Sequence, residues 1–97
     1  MKIYQSRTFE NKVKKLSKTE KDILDSEIKK IAANPLIGEE KKGDLRGVHV
    51  YKFKIKSIQF LISYRMIKTD LELIMIGPHE NYYRDLKTYF KTKSKKG

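Results

Sequence analysis

The sequence predicts an α+β fold with its elements in the order β-α-α-β-β-β-α. Three observations carry this. Apolar residues recur at helical spacing twice in the first third of the chain. A proline and a glycine-containing loop then interrupt the pattern. From Val48 onward the apolar period changes to two, the repeat of a half-buried strand.

Lys2–Gln5 forms a short first strand in this reading. Ser6 offers a helix cap ahead of Phe9, Val13 and Leu16, which share one helical face at i, i+4 and i+7. Ser17-Lys18-Thr19-Glu20 is a capping-box pattern and starts a second helix. Leu24, Ile28 and Ile31 make its apolar stripe, widened by Ile23 and Ala32. Asn34-Pro35 ends it, because a residue before proline avoids the α region. Two amphipathic helices joined by one short break predict an antiparallel hairpin packed on one face of a sheet.

Leu36–Asp44 is expected to be a loop carrying Gly38, Gly43 and a cluster of charges. In the strand Val48–Lys56, Tyr51, Phe53 and Ile55 point one way and Lys52, Lys54 and Lys56 the other. Gln59–Ile67 is the next strand, with Phe60, Ile62, Tyr64 and Met66 on one face, and Lys68-Thr69-Asp70 is a tight turn. Leu71–Ile76 is apolar on both faces except at Glu72, which predicts an interior strand ended by Gly77-Pro78. Glu80–Lys91 closes the fold as a helix, with Tyr82 or Tyr83, Leu86 and Phe90 facing inward. Residues 1–90 make one domain, and 91–97 a basic tail.

Composition narrows the function. With no cysteine there is neither a disulfide framework nor a thiolate metal site, and His49 and His79 alone cannot hold zinc. The N-terminus has no apolar signal-like segment, and no run reaches the ~18 apolar residues of a membrane span, so a cytoplasmic protein without membrane contact is expected. Twenty-three basic residues against twelve acidic ones give +11, and setting aside Lys91, Lys93, Lys95 and Lys96 of the tail still leaves +7. Such a field favours nucleic acid or the ribosome, with affinity that weakens as salt rises. Ten aromatic residues, six of them tyrosine, supply surfaces on which bases stack.

Two stretches can carry chemistry. Lys52, Lys54 and Lys56 place like charges side by side on one strand face, a repulsion that a polyanion relieves. Arg46 sits in the loop before that strand and Arg65 on its neighbour. The second stretch, Gly77-Pro78-His79-Glu80-Asn81-Tyr82-Tyr83-Arg84, leaves an interior strand and opens a helix, where side chains are well placed to line a site. Alone, each has an ordinary reading: a solvated lysine face, a structural histidine. Together they match what metal-free RNA cleavage needs: a base for the 2′-hydroxyl, a cation for the phosphate and an acid for the departing 5′ oxygen. Lys52, Lys54, His79 and Tyr83 can cover those tasks. The acids are scattered, and no phosphate loop, GxSxG or HExxH is present, so neither cofactor nor metal is expected.

The ordered set of the helical hairpin, Asp44-Leu45-Arg46-Gly47, Tyr51-Lys52-Phe53-Lys54-Ile55, Ile62-Ser63-Tyr64-Arg65 and Gly77-Pro78-His79-Glu80-Asn81-Tyr82-Tyr83 resembles the RelE/ParE superfamily of type II toxin–antitoxin toxins, over nearly the whole chain. The resemblance implies a microbial-RNase-like fold, a twisted antiparallel sheet with two helices on one face and the last helix near an edge. It further implies a ribosome-dependent mRNA endonuclease that inhibits translation, with Lys52 and Lys54 as the strand lysines, Tyr83 as the helix tyrosine, and His79 as the histidine of the YafQ-like branch. Arg46, Lys56, Arg65 and Arg84 would contact RNA. The family's early-strand arginine is replaced here by Phe60-Leu61, with the strand's arginine coming later as Arg65, so Arg84 or Lys56 would have to substitute. The partners implied are an acidic antitoxin, the ribosome and mRNA. The alternative from the same superfamily is a ParE-like poison of DNA gyrase without catalysis of its own, and a third reading is a non-catalytic RNA-binding domain.

Overall fold

Ser6 joins the first helix to the sheet. Its Oγ accepts the Phe9 N–H at 3.0 Å, capping α1 (Arg7–Val13), and its hydroxyl donates to the Ile74 carbonyl at 2.6 Å. The capping box expected at Ser17 is complete. Ser17 Oγ accepts from the Glu20 N–H at 3.2 Å, and Glu20 Oε1 accepts from the Ser17 N–H at 2.8 Å, opening α2 (Lys18–Ala33). Leu16 lies beyond the end of α1 yet packs on the same cluster as Phe9, Leu24 and Ile31. The computed structural model describes residues 1–80 and 82–94.

Five strands form one sheet in the order β1-β5-β4-β3-β2, with β1 Ile3–Gln5, β2 Glu39–Glu40, β3 His49–Ile55, β4 Ile58–Ile67 and β5 Asp70–Pro78. Pairing is antiparallel from β2 through β5, as expected. The edge strand β1 runs parallel to β5, so the sheet is mixed. Two-residue turns join β3 to β4 and β4 to β5, and Lys56 and Lys68 in them both adopt φ 59°. The interior strand expected over Leu71–Ile76 lies between β1 and β4, but Gly77-Pro78 does not end it. Gly77 still pairs with Leu61 and Pro78 with Phe60. The β1 pairing stops at Leu73, so Pro78, which has no N–H to give, lies where β5 has no β1 residue beside it.

The segment read as a loop, Leu36–Asp44, holds β2 and the start of a 3-10 turn over Gly43–Leu45. Both faces of the sheet are covered. The helical-hairpin face buries Phe9, Leu24, Ile31, Phe53, Ile55, Ile62, Tyr64, Leu71 and Leu73. The opposite face buries Val48, Val50, Leu61, Ile74 and Met75 beneath Tyr82 and Leu86 of α3 (Tyr82–Ser94). That helix begins later than Glu80 and continues past Lys91 to Ser94, so the expected tail starts inside it. Asn81 and residues 95–97, including Lys95 and Lys96, lie outside the described residues. Among the described residues no helix is long and apolar enough to cross a membrane.

Candidate functional site

The strand lysines point to the face that α3 covers. Alternation places Val48, Val50, Lys52 and Lys54 on one side of the chain, and Val48 and Val50 are buried under the helix. Past Val50 that cover thins and Lys52 and Lys54 are exposed. The lysine face is therefore half roofed, and the boundary of the roof makes a groove. Its volume is about 470 Å3, lined by Lys41, Lys42, Leu45, Lys52, His79, Tyr83 and Lys87.

Register explains why distant residues meet there. Lys52 faces Leu61 on β4, and Leu61 faces Gly77 on β5. In the next row Lys54 faces Gln59, whose carbonyl accepts the His79 N–H at 3.2 Å. Lys54 and His79 thus flank one residue of β4, two strand spacings or ~10 Å apart at the backbone. His79 is exposed and presents its ring to that of Tyr83 edge-on at 6.3 Å.

Tyr83 is set in place by its neighbour. Tyr82 is buried, donates its hydroxyl to the Met75 carbonyl at 2.7 Å and lies 2.9 Å from the Ser63 Oγ. This anchors the first turn of α3 on the sheet and leaves Tyr83 half-buried at the groove wall. Lys41 comes from the other side. The Lys41 N–H donates to the Val48 carbonyl at 2.8 Å, continuing the β2–β3 pairing, so Glu39 and Lys41 share the α3 side with Val50 and Val48. The Lys41 ammonium lies 4.9 Å from the centre of the Tyr83 ring and 3.1 Å from Glu39 Oε1. Burial alone would lower its pKa, but the Glu39 carboxylate and the Tyr83 phenol outweigh that and hold it above the ordinary lysine value. The bond from Lys41 holds Glu39 below its ordinary value, and Lys52 adds to this.

Of the catalytic residues expected from sequence, Lys52, His79 and Tyr83 line the groove, and Lys54 stands beside it on the same strand face. The expected RNA-binding residues scatter. Arg65 is bound to Glu72 Oε1 at 2.6 Å and lies over the Phe90 ring at 5.7 Å, so its charge is already partnered. Arg84 is exposed on α3, 3.8 Å from Asp85. Arg46 and Lys56 are exposed outside the groove lining, Arg46 after the 3-10 turn and Lys56 in the β3–β4 turn. Leu61, where the resemblance would have an arginine, is fully buried among Val50, Ile74, Tyr82 and Leu86. Sequence reasoning missed Lys41, Lys42 and Lys87. Lys87 had a signal, since it follows Tyr83 by one helical turn. Among the described residues no three His, Asp or Glu side chains gather as metal ligands.

Residues 3–87 match the family model of the ParE-like toxin of type II bacterial toxin–antitoxin systems. The fold is similar to that of Escherichia coli RelE in the intact RelBE toxin–antitoxin complex, with TM-score 0.65 and 18% identity over 81% of this chain and 96% of that one. It is also similar to a RelE variant from E. coli in the free state, with TM-score 0.70 and 16% identity over 93% and 95% of the two chains. The isolated E. coli RelE toxin gives TM-score 0.63 and 19% identity over 91% and 97%. No curated protein sequence matches the chain.

Proposed function

Because this chain belongs to the ParE-like toxins of type II bacterial toxin–antitoxin systems, we propose that it blocks translation by cutting mRNA at the ribosome, using acid–base chemistry in the lysine-lined groove. The observation that carries this reading is the meeting of His79 and Tyr83 with Lys41, Lys42, Lys52 and Lys87 in one open groove. A phosphodiester entering it meets cations on several sides, which favours the extra negative charge of a pentavalent phosphate. His79 takes the 2′-hydroxyl proton, and the 2′ oxygen attacks phosphorus. The 5′ oxygen leaves with a proton supplied from the lysine or Tyr83 side of the groove. The products are a 2′,3′-cyclic phosphate and a free 5′-hydroxyl, so no external oxidant, metal or water is consumed. Lys52 and Lys54 hold the phosphate, and the Tyr83 ring receives a base.

The natural regulator of such a groove is a partner of opposite charge. RelE, whose fold this chain shares, has been solved in a complex with its antitoxin. An acidic antitoxin covering the lysine face, in a cytoplasm shared with ribosomes, completes the reading. Incubating the purified chain with mRNA on translating ribosomes tests it. Cuts ending in cyclic phosphate, abolished by a saturating antitoxin, are expected. Intact mRNA under those conditions overturns the proposal.

A second reading, a DNA gyrase poison, is favoured by the ParE-like description of the matching family. It predicts trapping of gyrase on DNA with no RNA cleavage, and it places no demand on His79.

A further inference from the structure

Lys41 was invisible in the sequence and is the groove lysine with the most defined contacts. Three features set it apart from Lys42, Lys52 and Lys87. Its side chain is only 22% exposed, whereas Lys42, Lys52 and Lys87 are exposed residues. Its ammonium is fixed on one side by Glu39 at 3.1 Å. On another it lies over the Tyr83 ring, 4.9 Å from the centre. A cation at that distance from an aromatic face is attracted by the ring quadrupole, the more so when partly desolvated. The ring planes of Tyr82 and His79 stand at 82° to that of Tyr83, with centres 5.9 and 6.3 Å away, so the ring has a cation and two aromatic neighbours.

We infer that Lys41 is a positioning residue of the proposed reaction: it clamps Tyr83 to the groove wall and leaves the opposite ring face for a nucleotide base. The inference rests on the reading of the groove as a nuclease site. Lys41 itself is already engaged by Glu39, so its ammonium acts on the ring, while the freer Lys52 and Lys54 meet phosphate. A base then stacks against a ring whose tilt is set before RNA arrives, and the scissile phosphate is carried to a defined place between Lys52 and His79. Misplacement of a reacting group by ~1 Å costs up to ~10²-fold in rate, so a loosened Tyr83 shows in turnover.

The experiment compares Lys41→Met, Lys41→Arg, Tyr83→Ala and the Lys41→Met/Tyr83→Ala double variant in mRNA cleavage on ribosomes. Lys41→Met is expected to lower kcat about ten-fold with KM nearly unchanged, since the clamp acts on geometry. Lys41→Arg, which keeps a cation over the ring, restores most of the rate. On the Tyr83→Ala background Lys41→Met has no further effect. Ring-proton shifts of Tyr83, measured by NMR, move in Lys41→Met and return in Lys41→Arg, a readout that needs no activity and stands if Tyr83→Ala fails to fold. A loss expressed in KM, or one undiminished without Tyr83, makes Lys41 a phosphate contact and overturns the inference, as do unmoved ring shifts. Wild-type protein that cuts nothing sinks the nuclease reading instead, and the ring shifts still decide whether Lys41 holds Tyr83.

Discussion

The hydroxyl of Tyr82 donates to the backbone carbonyl of Met75 across 2.7 Å, inside the core. This bond fixes where α3 begins, and with it where the next residue, Tyr83, can stand. Removing the hydroxyl takes this donor from the buried Met75 carbonyl and the contact from the Ser63 Oγ. Tyr82→Phe is therefore expected to cost about 1–2 kcal/mol of stability. Urea unfolding of the two proteins checks this; equal midpoints would mean the bond adds nothing.

His79→Ala should leave stability untouched, because the ring is exposed and the backbone bond to Gln59 remains. Cleavage should fall by ~10²–10⁴-fold, the usual worth of one general acid or base. Lys52→Ala and Lys54→Ala should each slow cleavage by weakening charge stabilisation at the phosphate. Folded His79→Ala protein that cuts at the wild-type rate refutes the histidine role.

Restoring the family's arginine will not improve this protein. Leu61 has no exposed surface and sits in the row between Lys52 and Gly77. An arginine there puts an unpaired charge into the core beside a lysine strand, and Leu61→Arg is expected to destabilise by more than about 4 kcal/mol. Thermal unfolding decides it, since an unchanged Tm would show that the guanidinium escapes to the groove.

High pH should unfold the chain through its tyrosines. Burial, supported by the bond to Glu27, pushes Tyr51 up to about 12. Burial raises Tyr82 and Tyr64 as well, against opposing hydrogen bonds from Ser63 and Gly38. A phenol in the unfolded chain ionises near pH ~10, so above that value the unfolded state has lost protons that the folded state keeps. The stabilisation is complete below pH ~10 and is lost as pH rises through the folded values. Urea midpoints measured across this range should fall, and fall less steeply for Tyr51→Phe. Identical slopes for both proteins would contradict the Tyr51 contribution.

The sequence made the periodic parts of this fold legible. Both helix caps, the alternation of Tyr51 to Ile55, and the inward Leu86 all follow from local spacing, and the structure has them, whereas Lys56 falls in the turn beyond the strand. It was less informative where partners are distant. Two residues of β2 are too few to show a period, so Glu39-Glu40-Lys41-Lys42 read only as a cluster of charges in a loop. Pro78 looked like a strand terminator because the β1 pairing, which stops short of it, is a tertiary fact. Arg65 looked free because Glu72 and Phe90 reach it only through the hairpin and the packing of α3. The site was half visible: Lys52, His79 and Tyr83 came from motif order, while Lys41 needed the fold.

Because β2 and Lys41 pair only with Val48, His49 and Val50, no strand among the described residues pairs with the outer rim of β3 from Tyr51 to Ile55, which is left for another chain's strand. Such a rim invites copies to zip together, and lysines are a common deterrent. Lys52 and Lys54 stand on that stretch, so the charges proposed to grip a phosphate also keep the molecules apart. Exchanging both for alanine would disarm the protein and expose a sticky ribbon in one stroke, leaving lost toxicity indistinguishable from clumping. An inert form fit for handling is better made at His79, which leaves the deterrent in place.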